Sequence, residues 1–540
     1  MTNGRSFRLP PAKQILLGLL LVTSTAIFIL TVTRGQLGSG QPAALSFKNV
    51  QIIEPDDSPD TVIRKAARVV PTRRQIKWQE KEMAAFVHFG LNTFTGQEQG
   101  DGTVSPSLFQ PSAFNPRQWA RVFKEAGFRM IILTAKHHDG FCLWPTRTTD
   151  YSVKSSPWRK GRGDVVREVA MACREEGLDF GLYLSPWDRH EKSYGSPQYN
   201  EFFRRQLKEL LTDYGPVAEV WFDGYCGEGP NGRKQNYDWN SYYQLIRKLQ
   251  PEAVIAIMGP DVRWVGNESG LARESEWSVL PLNISEASLK LLKAGRTPLE
   301  TIFQPANVMG EDLGSREVIS GARALFWYPA EVDVSIRPGW FYQQDQDRQV
   351  KSPSELFEIY LKSVGRNSVL LLNVPPDRRG LINENDVRAL RGWRQLLDQT
   401  FKQGYLRKTS VQASGQAPGT EAGNLLKKNP DGVWSPPPGQ LPAWLELRLP
   451  VISRLDCLEI REDIARGQRI EEFCVEAWLK GQWTEIARGT TVGYKRLLTF
   501  APVLTDRVRV VIRQSRDVPR VKGFNLYKLA RQAARPASNG

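Results

Sequence analysis

The chain has 540 residues, 41% hydrophobic and 24% charged with 16 Trp, the make-up of a folded protein too long for one ordinary core. Its formal net charge of +15 is spread along the chain without a dense basic run or a nucleic-acid-binding signature, so it reads as solvated surface and nucleic acid is not an expected partner. Five cysteines without a CxxC pair exclude a disulfide scaffold and a zinc module.

At the N-terminus, residues 1–34 read as a signal anchor or signal peptide. Arg5, Arg8 and Lys13 precede an apolar run, residues 15–32, just long enough to span a bilayer. Basic residues ahead of such a run place the N-terminus in the cytoplasm and the remainder outside. No small-x-small site follows directly, which favours an uncleaved anchor. The expected location is periplasmic or extracellular, with the membrane as a partner through residues 15–32. Residues 35–74 are rich in Gly, Pro, Ser and Asp without lasting periodicity and read as a linker or entry segment.

From residue 75 to 403 a strand-then-helix pattern repeats, the signature of parallel α/β architecture. The strands are expected at residues 85–90 (AFVHFG), 129–135 (RMIILTA), 180–185 (FGLYLS), 219–223 (EVWFD), 253–258, 331–336 and 368–373 (SVLLLN). Between them lie helices at 116–126, capped by Asn115, at 164–176, capped by Asp164, and at 199–212, 239–249, 353–364 and 384–399. That series predicts a (β/α)8 TIM-like barrel. No GxGxxG opens a helix, so a dinucleotide fold is disfavoured. Over 404–530 short alternating runs at 443–449, 454–461, 473–479 and 507–513 predict a C-terminal antiparallel β-sandwich for packing or carbohydrate contact, with residues 531–540 as a tail. Cys457 and Cys474 are either a pair or two separately buried thiols.

Polar residues gather at the carboxyl ends of the predicted strands, where a barrel does its chemistry. His88, His137, His138, Tyr183, Asp223 and Glu268 follow five successive strands, and three of the 4 histidines in the chain are among them. Neutral imidazoles that hydrogen-bond hydroxyls, with Trp144, Trp187 and Trp221 offering flat faces, suit a sugar. A metal-dependent hydrolase is the rival reading; no HxH or HExxH spacing appears, and neither a metal nor another cofactor is expected. Glycoside hydrolysis needs two carboxyl groups, and Asp223 with Glu268 is the best-placed pair. Asp139, Glu274, Glu276 and Asp333 remain alternative acids.

HFG at His88, KHHDGF from Lys136, GLYLSPWD from Gly181, EVWFDG ending at Gly224, RWVGNE from Arg263 and LLLNVPPD from Leu370 together resemble the α-L-fucosidases of glycoside hydrolase family 29. The similarity covers residues 75–402, and the later sandwich matches that family's architecture. The resemblance implies a retaining exo-hydrolase acting on a fucosylated oligosaccharide or glycoconjugate, with Asp223 as nucleophile. It implies that His88, His137, His138 and Tyr183 hold fucose hydroxyls, with Trp144, Trp221 and Arg263 in the same pocket. RWVGNE, and the stretches 273–278 and 331–337, are similar to the subgroup acting on α-1,3 and α-1,4 linkages, which makes Glu268 the acid/base. The competing expectation is a barrel that binds fucose without turnover.

Overall fold

A computed structural model describes residues 46–530, except 296, 307, 403, 406–408 and 427–431. In chain order its strands are β1 (Val50–Ile52), β2 (Met83–Val87), β3 (Met130–Lys136), β4 (Asp179–Leu184), β5 (Glu219–Phe222), β6 (Val254–Ile257), β7 (Arg263–Trp264), β8 (Val279–Pro281), β9 (Ala324–Trp327), β10 (Ala330–Ser335) and β11 (Val369–Asn373). Eight of them pair in parallel in the order β6-β5-β4-β3-β2-β11-β10-β7. A bridge between Ala256 and Val262 joins the two ends, so the sheet is a nearly closed TIM-like barrel. The missing sequence signal was β7, whose two residues are too short to show a period.

Strand alternation divides the apolar side chains into two layers. Ala84, Phe86, Ile132, Tyr183, Trp221 and Leu371 fill the barrel, while Val87, Leu133, Leu182 and Val220 face the surrounding helices. The helix Pro116–Ala126 shows how each outer element is set. Asn115 caps it by accepting from the Gln118 amide, Pro116 opens its first turn, and Gly127 ends it with φ 99°, a conformation glycine adopts without strain. Its buried face carries Trp119 and Phe123, and removing either ring would cost about 3–5 kcal/mol.

Between β7 and β10 the chain leaves the barrel, and β9 pairs with β1 on one side and β8 on the other in a small antiparallel sheet. Within the stretch read as linker, the described part therefore holds β1, the helix Pro59–Ala66 and the start of the helix Arg73–Gln79. These elements are short, and their helices are announced only by the caps Ser58 and Thr72.

The C-terminal region is an antiparallel sheet structure of β12 (Ser410–Ala413), β13 (Ala443–Glu462), β14 (Ile470–Leu479), β15 (Gln482–Gly489), β16 (Arg496–Ser515) and β17 (Val521–Tyr527). The runs 443–449 and 454–461 are one strand, β13, whose register against β16 shifts between Arg448 and Ser453 and again near Cys457. Such irregularities bend a strand and interrupt its alternation, which is why it read as two. Cys457 and Cys474 are separate buried thiols. Their strands are not neighbours, because β16 lies between β13 and β14.

A buried ionic cluster fastens barrel to sandwich. Lys495 lies 2.5 Å from Glu82, Arg461 donates to Glu459 at 2.5 Å, and Tyr527 Oη donates to Glu459 at 3.0 Å. Among the described residues no helix is long and apolar enough to cross a membrane, and the apolar run of residues 15–32 lies outside them.

Candidate active site

At the carboxyl end of the barrel, Phe86, His88, His137, His138, Tyr183, Trp221, Asp223, Glu268, Asp333 and Trp340 are among the residues lining a cavity of about 170 Å3. A larger groove, about 1140 Å3, lies on the outer face beside the helices Pro116–Ala126 and Glu384–Phe401, away from the strand ends. The small cavity is the one with convergent polar groups, and its size suits a single ring rather than a chain of them.

Period-two alternation along β5 turns Glu219 and Trp221 into the barrel and brings Asp223 to its mouth. Asp223 keeps 24% of its side chain exposed. Its Oδ2 accepts from Tyr183 Oη at 3.0 Å and its Oδ1 from the Tyr225 amide at 2.8 Å. The two donors hold the carboxylate at a fixed angle while leaving lone pairs toward the cavity.

The histidines are neutral. Burial pushes the His88 imidazole down to about 3 and holds His137 and His138 below the ordinary range. Ser185 Oγ donates to the Trp187 carbonyl at 2.7 Å, so it accepts from His138 Nδ1 at 2.7 Å. That tautomer leaves Nε2 of His138, 3.6 Å from Asp223 Oδ2, as an acceptor. His88 Nδ1 is 2.8 Å from Asn373 Oδ1, which likewise leaves its Nε2 to accept. His137 stacks on Tyr183 with ring centroids 5.6 Å apart, and its buried Nδ1 has no protein partner.

Four carboxyl groups line the cavity, those of Glu98, Asp223, Glu268 and Asp333. Burial raises Glu268 above the ordinary carboxyl range, a hydrogen bond from Trp340 pulls the other way, and the Asp223 charge adds to the rise. Asp333 accepts from Trp264 Nε1 at 2.7 Å, yet burial, with Glu268 and Asp223 nearby, pushes it up to about 7. An acid fixed by two donors beside one raised above its ordinary value is the arrangement that divides nucleophile from proton donor. Among the described residues no group of three or more His, Cys, Asp or Glu is placed to hold a metal ion.

Two expected pocket residues lie elsewhere. Trp144 is buried outside the cavity, donating from Nε1 to Glu209 Oε2 at 2.8 Å on the helix Pro197–Thr212. Arg263 is 0% exposed and donates to the carbonyls of Tyr328 and Trp277 while pairing with Glu276. The reason is alternation on β7: Trp264 turns inward to Asp333, so Arg263 turns out. Of the alternative acids only Asp333 reaches the cavity. Glu276 is taken by Arg263, Glu274 pairs with Arg366 and Arg496, and Asp139 accepts from the Phe141 amide behind the mouth. Sequence reasoning missed Phe86, Glu98, Gln99, Tyr225 and Trp340 in the lining. Tyr225 and Trp340 follow β5 and β10, so the strand-end rule could have found them; Glu98 lies in a loop that carries no such signal.

The family model described as Alpha-L-fucosidase matches residues 66–270 and 316–400, and that of the F5/8 type C domain matches 410–522. Alpha-L-fucosidase 1 of Arabidopsis thaliana is 43% identical over 467 residues, 85% of this chain and 87% of the relative. A solved Bacteroides ovatus chain superposes with TM-score 0.79 at 47% identity, covering 92% of this chain and 81% of its own. A Ruminococcus gnavus GH29 fucosidase in complex with fucose superposes with TM-score 0.75 at 31% identity, covering 85% and 95%.

Proposed function

The chain belongs to the α-L-fucosidase family of glycoside hydrolases, family 29, and on that premise we propose that it removes terminal fucose with retention of configuration, Asp223 acting as nucleophile and Glu268 as acid/base. In the first step an Asp223 oxygen forms a bond to the anomeric carbon while the bond to the leaving oxygen breaks and Glu268 passes that oxygen its proton. In the second, water attacks the anomeric carbon, Glu268 takes the proton from water, and the bond to Asp223 breaks.

The observation that carries this reading is the pairing, in one ring-sized cavity, of a doubly hydrogen-bonded Asp223 with a Glu268 whose carboxyl is raised above its ordinary value. His88 and His138 offer neutral acceptors for sugar hydroxyls, and Trp221 and Phe86 supply apolar floor. The fucose held by the Ruminococcus gnavus relative supports the same ligand here. The similarity of RWVGNE and of residues 273–278 and 331–337 to the α-1,3/1,4-acting subgroup supports a branched glycan as substrate. The basic residues ahead of the apolar run 15–32 support an exported, membrane-tethered enzyme.

One assay tests the mechanism and the linkage together. A Lewis-type trisaccharide carrying α-1,3- or α-1,4-fucose is expected to be cleaved with α-fucose as the first-formed anomer by NMR, and at higher kcat/KM than a simple aryl fucoside. A first-formed β-anomer would overturn retention; preference for the aryl fucoside would overturn the linkage assignment.

A further inference from the structure

Trp340 enters the cavity from the loop after β10, and its backbone is held on both sides. Its amide donates to Glu98 Oε2 at 2.8 Å, and Gln343 Nε2 donates to Glu98 Oε1 at 3.0 Å. On the other side Asn373 Nδ2 donates to the Trp340 carbonyl at 2.8 Å and to Ser335 Oγ at 2.9 Å, while its Oδ1 meets His88. The indole packs against His88 with ring centroids 5.1 Å apart and lines the same small cavity as Glu268, whose carboxyl it pulls toward the ionised form. Glu98 approaches so closely because residue 339 is glycine: a Cβ there would come within 2.2 Å of Glu98 Oε1.

Glu268 lies in the loop after β7, supported by no regular element of its own. A proton donor on such a loop needs a rigid partner to fix its carboxyl within reach of the leaving oxygen. The rigid partner at hand is the indole, tied through Asn373 to the same histidine that faces the sugar.

Resting on the reading of Glu268 as acid/base, we propose that Trp340 is its positioning residue, the indole N–H fixing the Glu268 carboxyl while Glu98 and Asn373 fix Trp340. Glu98 and Asn373 thereby couple two loops and the end of β11 to the proton-transfer step. The groups that face Glu268 are Asp223 from β5, Asp333 from β10 and, across the same cavity, Glu98 and the neutral His88, His137 and His138.

The test is Trp340→Phe, which keeps a ring and removes the N–H. Proton donation matters most when the leaving group is poor, so kcat/KM on the fucosylated trisaccharide should fall at least about tenfold further than on an aryl fucoside. The indole N–H favours the ionised carboxyl, so its loss should also move the alkaline limb of the trisaccharide pH profile to higher pH. Gly339→Ala, which displaces Glu98 without entering the cavity, should give both changes in the same direction and smaller, guarding against a misfolded first variant. Equal losses on the two substrates, or an unmoved limb in both variants, would overturn the proposal. Glu268→Gln in the same assay separates the two levels. If it shows the leaving-group split and Trp340→Phe does not, only the role of Trp340 fails; if it shows no split, the role of Glu268 fails and that of Trp340 with it.

Discussion

Acids whose protonation desolvation shifts meet opposite surroundings at the cavity mouth and at the barrel–sandwich junction. At the mouth, Glu268 and Asp333 share a cavity with Asp223 and three imidazoles, and among the described residues no Arg or Lys lines it. At the barrel–sandwich junction, Glu82 and Glu459 lie against Arg461 and Lys495. Burial pushes the carboxyls up in both places. At the junction the cations outweigh it and Glu82 and Glu459 end below the ordinary range; at the mouth Glu268 and Asp333 end above it. The same desolvation yields a fastener where a cation is present and a proton reservoir where none is.

The sharpest way to break this contrast is at the mouth. Asp223→Gly should lower kcat/KM on an aryl fucoside by at least about 10³-fold, since no other acid is held by the same two donors. Near-wild-type turnover would remove Asp223 from the mechanism. Glu268→Gln should lower kcat/KM on the trisaccharide by about 10²- to 10⁴-fold. Its pH behaviour carries the sign of the raised carboxyl. The first step needs Glu268 protonated, so wild-type activity should hold below its elevated pKa and fall as pH rises through it. An alkaline limb that survives unchanged in Glu268→Gln would assign the limb to another group.

What the sequence made legible follows the same division. Strand ends and helix caps are local, so the barrel and the convergence of His88, His137, His138, Tyr183 and Asp223 could be read before the fold was in hand. The direction of a side chain on a two-residue strand is not local, and Arg263, expected in the pocket, turns away from it. Trp144 misled for a related reason: it follows a motif rich in site residues, but the loop after β3 carries it back against Glu209. The anchoring of Trp340 depends on Glu98 and Asn373, which are 242 and 33 residues away in the chain, and no spacing rule links them.

At the junction the expected effect is on stability. Lys495→Met would leave the half-buried Glu82 with Arg461 as its remaining cation, at a cost on the order of 2 kcal/mol. Glu82 is depressed below its ordinary value of 4.5, so its contribution is present above that pH and is lost as pH falls through the folded-state value. The melting temperature of Lys495→Met should therefore lie furthest below wild type near neutrality and converge with it in acid. A constant gap at all pH would mean that the hydrogen bond Lys495 Nζ donates to Tyr360 Oη at 3.3 Å outweighs the charge.

The smallest effect belongs to a third pair, deep in the barrel, that obeys the mouth's rule without reaching the cavity. Glu219 accepts from Trp78 Nε1 at 2.7 Å and Glu331 from Trp221 Nε1 at 2.8 Å, and among the described residues neither forms an ion pair, though the Lys81 charge acts on Glu219. Burial pushes Glu219 up to about 8, and burial with the neighbouring Glu219 charge holds Glu331 well above its ordinary value. Acids raised in the folded state contribute stability that is full below about 4.5 and is lost as pH rises toward 8. In Glu331→Gln the amide keeps an acceptor for Trp221 and gains a donor for Glu219, so one ionisation is gone and the other is eased. Between pH 5 and 8.5 the variant should lose less melting temperature than wild type, a relative gain on the order of 1 kcal/mol at the upper end. Identical slopes would show that this pair is already accommodated as a charged couple, and the rule drawn from the mouth would then stop at the cavity wall.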